Sequence, residues 1–225
     1  MTFAQQVLQF ITVLNFPNHL PGDIQVMNPF HDRDTLEICR KFYEQFYADN
    51  NKRWMVLGIN PGRFGGGVTG IPFTDPIRLE TNCGIINGWA KKQELSSLFI
   101  YDMIKEYGGV KTFYDTFYIT AISPLGFMKD NKNLNYYDDK TLLQEVKTFA
   151  IDCLCRQLEF GIYRNAAFCL GDGKNYKFAS QLNNETKFFD KLVPLPHPRF
   201  IMQYKLRKKQ EYIHRYISQF HEFCH

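Results

Sequence analysis

The feature that most constrains the fold is an apolar run that ends in a loop too rich in glycine and proline to continue as a helix. Trp54-Met55-Val56-Leu57 has the length and composition of a buried strand. Gly58-Ile59-Asn60-Pro61-Gly62-Arg63-Phe64-Gly65 follows it directly and continues through Gly66 and Gly67 to Thr69-Gly70-Ile71-Pro72-Phe73. The glycines admit close backbone approach, while Pro61 and Pro72 stiffen the path. Asn60 and Phe73 are the side chains left to act. An amide and an aromatic ring over a shaped backbone suit a flat ligand with polar edges, such as a nucleobase. In open α/β sheets ligands bind at the carboxyl ends of strands, where this loop would lie. A second such junction stands near the other end of the chain, where Leu192-Val193-Pro194-Leu195 runs into Pro196-His197-Pro198-Arg199 and brings an imidazole and a guanidinium to a strand end.

The rest of the chain alternates helical and extended patterns. Residues 3–14 and 30–47 carry helical apolar spacing, with breaks at Phe16-Pro17 and Pro21-Gly22, and read as an N-terminal helical part within residues 1–50. The spacing predicts a helix over 95–107, capped by Ser96 or Ser97 and ended by Gly108-Gly109. A strand is expected over 117–122, stopping at Ser123-Pro124, and an exposed loop rich in Asn and Lys over 129–137. Leu142, Leu143, Val146, Phe149, Ala150, Leu154 and Leu158 share one helical face. A strand over 166–170, a short helix over 174–182, a strand over 192–195 and a last helix from near Lys205 to about Phe223 complete the pattern. This alternation predicts an α/β fold, a three-layer sandwich with a mainly parallel central sheet covered on both faces. With no linker and no repeat, the chain reads as a single domain over residues 1–225.

Charge and cysteine usage narrow the function classes. A net charge of +4 does not by itself announce a nucleic-acid binder. The distribution says more, because Arg199, Lys205, Arg207, Lys208 and Lys209 crowd the segment after His197. Aromatic residues read mainly as core. The six cysteines form no CxxC pair; Cys153 and Cys155 would face different sides of a helix, and Cys169 lies in a strand-like apolar run. The tail His221-Glu222-Phe223-Cys224-His225 has ligand-type side chains, but a terminus frays, and no metal or cofactor is assigned. No apolar stretch is long enough to span a bilayer, and the first residues lack the basic start of a signal peptide. The expectation is an intracellular, monomeric protein, cytoplasmic and at the nucleoid if bacterial.

Taken together, the two loops resemble the two catalytic motifs of the uracil-DNA glycosylase superfamily, and within it a divergent, bacterial-like branch of the single-strand-selective monofunctional type, SMUG. That type's first motif reads Gly-Met-Asn-Pro-Gly-Pro-Phe-Gly and then Thr-Gly-Val-Pro-Phe. Gly58, Asn60, Pro61, Gly62, Phe64, Gly65, Thr69, Gly70, Pro72 and Phe73 stand at the matching positions without a gap. The similarity runs on through Ser123-Pro124-Leu125, Cys155-Arg156-Gln157 and Gly171-Asp172-Gly173, so that it spans Trp54 to the C-terminus. The four-cysteine spacing of the iron–sulfur relatives is not visible.

The resemblance implies a monofunctional DNA glycosylase of base excision repair. It would hydrolyse the N-glycosidic bond of uracil and other deaminated bases in single- or double-stranded DNA after extracting the base from the stack. It implies that Asn60 holds the attacking water, that His197 donates a hydrogen bond to the base oxygen as charge develops there, and that Phe73 stacks on the base. Ile59, Gly62 and Phe64 would contact the base through the loop backbone. Arg199, Phe200, Ile201, Lys205 and Lys208 are expected on DNA, with Phe200-Ile201-Met202 as an apolar wedge between cations. Two departures stand out. The second motif of the type reads His-Pro-Ser-Pro-Arg, two residues longer than His197-Pro198-Arg199. The base-reading asparagine of its Asn-x-Cys-Pro-Leu segment aligns with Ala121, which predicts a less selective pocket. The alternatives are a non-catalytic nucleic-acid-binding protein of the same fold and a Rossmann-like nucleotide-binding enzyme. The second rests on Leu170-Gly171-Asp172-Gly173-Lys174, which lacks the GxGxxG fingerprint.

Overall fold

In the computed structural model, which describes residues 1–17, 20 and 22–224, the chain opens with α1 (Phe3–Thr12) and a short strand β1 (Gln25–Met27). A 3-10 turn at Pro29–His31 leads into α2 (Arg33–Phe46). After β2 (Arg53–Gly58), the glycine-rich loop contains one helical turn, α3 (Gly66–Thr69), and is followed by α4 (Pro76–Thr81), α5 (Leu95–Tyr107), α6 (Gly109–Thr116) and β3 (Phe117–Ala121). β4 (Gly126–Lys129) and β5 (Lys132–Leu134) form a hairpin before α7 (Lys140–Leu158), β6 (Ile162–Leu170), α8 (Lys174–Thr186) and β7 (Lys191–Leu195). α9 (Pro198–Tyr204), a 3-10 turn at Leu206–Lys208 and α10 (Lys209–Phe223) end the chain.

Local chemistry accounts for most of these boundaries. Thr2 and Gln5 form a capping box on α1, and Asp32, Asp75 and Asp139 accept main-chain N–H bonds at the starts of α2, α4 and α7. The start of α5 departs from expectation. Glu94 occupies its cap position, and Ser96 and Ser97 are buried within its first turn. Gly108, at φ 123°, does end α5, but α6 begins at once and buries Phe113 and Tyr114. The break expected at Pro21-Gly22 lies partly outside the described residues, as does His225 of the ligand-rich tail. No helix among the described residues is long and apolar enough to cross a membrane.

The central sheet has the order β3-β2-β6-β7 and every pairing in it is parallel. Gly58 pairs with Ala121, and Leu170 with Leu195, so all four carboxyl ends meet along one edge. Both faces are covered, which is why the strands read as unbroken apolar runs rather than alternating ones. On one face Phe220 of α10 packs on Phe117 and Phe168, with ring centroids 4.5 and 4.7 Å apart. On the other, Tyr118 and Thr120 donate to Gln157 of α7. These are the three layers expected from the sequence.

The N-terminal helices cover the edge strand β3, where Tyr47 donates to the Phe117 carbonyl at 3.0 Å. This part is more than a cover, because β1 pairs antiparallel with β4 and extends a second, three-stranded sheet, β1-β4-β5. The segment 129–137 is exposed over 129–133, as expected, but it is not a plain loop. It contains the end of β4, all of β5 and the fully buried Tyr136.

Arg53 ties the cover to the sheet. Its side chain is fully buried and pairs with both oxygens of Asp49 at 2.9 Å. It also donates to the carbonyls of Tyr114 (2.7 Å), Asn51 (3.0 Å) and Phe46 (3.4 Å), while its guanidinium lies 4.8 and 4.6 Å from the ring centres of Phe3 and Tyr47. Arg53→Met would leave those carbonyls without a donor. It is expected to lower unfolding free energy by about 3–5 kcal/mol, read from the urea midpoint at unchanged slope.

Candidate active site

The glycine-rich loop and the junctions after β3 and β7 enclose a cavity of about 110 Å³ at the carboxyl edge of the sheet. Gly58 closes the end of β2, and a Cβ there would fall 2.9 Å from the ring of Phe73, so the ring lies flush on the strand only because residue 58 has no side chain. Phe73 itself has φ 53°, a left-handed conformation that costs free energy for an aromatic residue. The turn before it holds that geometry: Thr69 donates to the Thr74 carbonyl at 2.7 Å, and its hydroxyl accepts from the Ile71 amide at 3.2 Å. The ring faces the cavity, 6.0 Å from the His197 ring.

Asn60 is held by the β5 segment. Its Oδ1 accepts from the Tyr136 amide at 3.1 Å, and its Nδ2 donates to the Leu134 carbonyl at 3.2 Å. Tyr136 is fixed in turn, because its hydroxyl donates to Asn175 Oδ1 at 2.6 Å and Asn175 donates to the Leu170 carbonyl at 2.9 Å. Asn133 and Asn135 also line the cavity, and Asn133 Oδ1 accepts from the Arg63 amide at 3.1 Å. Sequence reasoning missed this whole element because it acts on Asn60 through main-chain groups, for which side-chain identity carries no signal. The adjacent aromatics Tyr136 and Tyr137 were the one hint of burial.

His197 caps α9. Its Nδ1 accepts from the Arg199 amide at 3.1 Å, which places the proton of the neutral ring on Nε2. Tyr216 donates to the Pro196 carbonyl just before it, and the Gly171 amide donates to Leu195 at 2.7 Å. The ring is partly accessible from the cavity, yet the surrounding protein, and after it the Arg199 charge, pulls its pKa down to about 4. At neutral pH the ring is an uncharged donor. α9 starts at Pro198, so the shorter second motif removes loop between histidine and helix and leaves His197 opposite Phe73.

Of the residues expected at the site, Ile59, Asn60, Gly62, Phe73, Ala121, His197 and Arg199 line one cavity. Phe64, expected to meet the base through its backbone, does not line the cavity. The amides of Gly65 and Gly67 both donate to the Gly62 carbonyl, folding the loop tip back and leaving Phe64 at its outer corner, between the Arg63 and Lys92 cations at 4.6 and 5.1 Å. Ile201 is also misplaced by the expectation of a wedge. The segment after His197 is already helical, and Ile201 and Met202 form its buried face against α5, while Phe200 and Tyr204 are exposed with ring centres 5.6 Å apart. Lys205 marks a break before α10, and Lys205 and Lys208 both face solvent. Glu94 lines the cavity as well and had no sequence signal, since an acidic residue at a helix start is commonplace.

The family model of the Uracil DNA glycosylase superfamily matches residues 44–221. The chain belongs to that superfamily. The crystal structure of wild-type Pedobacter heparinus SMUG2 is similar to it at 48% identity and a TM-score of 0.95, covering 99% of this chain and 98% of that one. No curated protein matches. As a uracil DNA glycosylase the protein is a hydrolase of N-glycosidic bonds with DNA as its partner, and neither comparison supports the two alternative functions.

The state of His197 gives this glycosylase a testable pH response. Single-turnover base release should show no loss between pH 7 and 5, because the ring protonates only near pH 4. His197 by itself lowers folding stability over the same interval, since the unfolded chain takes up a proton at about pH 6.5 that the folded site excludes; the raised Glu94 carboxyl acts in the opposite sense, so the imidazole and not the unfolding midpoint carries the test. NMR titration of the His197 imidazole measures this directly; an inflection near 6.5 would contradict it.

Proposed function

We propose that this uracil DNA glycosylase releases uracil and the deaminated purines hypoxanthine and xanthine. It acts as a monomer inside the cell, on single- and double-stranded DNA. The carrying observation is Ala121, a methyl group at the cavity wall where the related type has a base-reading amide. Neighbouring hydroxyls have no proton to give a base, because Thr120 donates to Gln157 at 2.7 Å and Ser123 to the Leu125 carbonyl at 2.7 Å. A pocket without that amide imposes no unpaired-group penalty on a base of another shape.

Cleavage places positive charge on the sugar and negative charge on the departing base. Asn60, pinned by Leu134 and Tyr136, orients the water that attacks the sugar carbon. A water attacking so electrophilic a centre needs position more than a strong base. His197 donates from Nε2 to the base oxygen as charge builds, and remains a donor throughout because it starts neutral. Phe73 stacks on the ring. The amide of Gly62, which lines the cavity and has no acceptor within the chain among the described residues, is a further donor to the base.

Asn60→Ala should retain DNA binding while slowing single-turnover release by about 10²-fold or more, with a modest fall in melting temperature because the Leu134 carbonyl and the Tyr136 amide lose their partner. In the same assay, with oligonucleotides differing only in the lesion, Ala121→Asn should shift the release ratio towards uracil. Release of uracil alone by the wild-type protein would sink the broad substrate range.

The DNA surface follows from the corrected geometry. Phe200 and Tyr204 project from α9 beside Arg199 and Lys205, an apolar edge bordered by phosphate-binding cations. Phe200→Ala with Tyr204→Ala should slow excision from duplex by about tenfold more than from single strands, because only the duplex must be held open. Equal losses on both substrates would exclude a wedge.

A further inference from the structure

Glu94 is a carboxyl group in the cavity wall for which the mechanism has no task. Although it stands at the cap position of α5, its side chain does not cap that helix, and its amide donates to Asp75 Oδ2 at 2.8 Å. The carboxyl turns towards the cavity, where Oε2 accepts from Ser97 at 3.1 Å. It also abuts the base loop. Oε1 lies 3.1 Å from where a Cβ on Gly62 would be, and a Cβ on Gly65 would overlap the carboxyl outright. The loop that must sit over the base therefore rests on this acid.

Three elements bring charge near it. Asp75, at the start of α4, is ion-paired with Arg78 at 3.3 Å and repels a carboxylate at Glu94. Arg199, on α9, favours the carboxylate from a longer range, and His197 beside it is neutral. On α5 itself Ser97 supplies a hydrogen bond without charge. Burial outweighs these and raises the carboxyl's pKa to about 7.

We infer that Glu94 is a positioning residue whose proton state sets the rate of base release: the neutral acid supports the base loop during the reaction, and the carboxylate opposes it. The reason is electrostatic. A base leaving as an anion from a poorly solvated cavity is destabilised by a second negative charge in the same wall. The neutral acid adds no such charge and packs against the glycine backbone without drawing water. The inference rests on the proposed departure of an anionic base.

Single-turnover release of uracil from a single strand at saturating enzyme, followed from pH 5.5 to 9, tests it. Wild-type release should fall about tenfold as pH rises through ~7. Glu94→Gln, which keeps the shape and cannot ionise, should give equal rates at pH 6 and pH 9. A Glu94→Gln profile that falls like the wild type overturns the inference. Carboxyl-carbon NMR of the wild-type protein checks the same point without a variant, and titration of Glu94 in the ordinary carboxylate range overturns it as well. Base release with a flat wild-type profile overturns the inference and leaves the proposed function standing; absence of base release overturns both.

Discussion

The parallel ladder on both sides of Arg53–Gly58 is the constraint from which the rest of the structure follows. Because β3, β2, β6 and β7 all run the same way, their carboxyl ends fall on one edge, and every loop able to carry chemistry starts there. The ladder also continues beyond the strands. Ile122 donates to the Gly58 carbonyl at 3.0 Å, Ser123 to Ile59 at 3.1 Å and Gly171 to Leu195 at 2.7 Å. Each loop therefore leaves the sheet already fixed to its neighbour. Asn60, two residues past the end of β2, inherits a position set by main-chain bonds.

Rigidity in the cavity comes from groups that do not themselves face the ligand. Asn60 is fixed by the carbonyl of Leu134 and the amide of Tyr136, Tyr136 by Asn175, and Asn175 by the end of β6. This chain links the Asn60 loop back to the sheet through paired groups, several of them buried, the arrangement in which a polar network stiffens a site. The left-handed Phe73 fits the same scheme, since its strain persists only because the Thr69 hydroxyl fixes the turn around it. Electrostatically, the histidine is held neutral by its surroundings and Arg199 stands at the cavity lining.

The N-terminal quarter takes a larger part than its sequence suggests. Its strand β1 pairs with β4, and the Met27 side chain occupies the space beside Gly67 and Gly126, so it braces the glycine-rich loop against the hairpin that holds Asn60. Phe10, Ile11, Phe30 and Tyr43 line the inner part of the cavity. The superfamily match begins only at residue 44, so these contributions lie outside what the family model describes.

Local features were legible in the sequence because local physics produces them. Unbroken apolar runs marked β2, β3, β6 and β7, glycine and proline marked where each stopped, and Ala121 at the end of β3, His197 just past β7, and Asn60 and Phe73 in the loop after β2 share one cavity. What the sequence left open is which way a side chain faces once its segment is placed. Ile201 and Phe200 are neighbours of similar hydropathy, and only the seat of α9 on α5 decides that one is core and the other solvent-exposed. Phe64 turns outward because two amides fold back onto Gly62, and Glu94 becomes a cavity wall because α5 lies beneath that loop. The hairpin partners of Asn60 stand 74 and 76 positions away and act through the backbone. Such contacts follow from chain packing over long separations, and no local pattern of residue types encodes them.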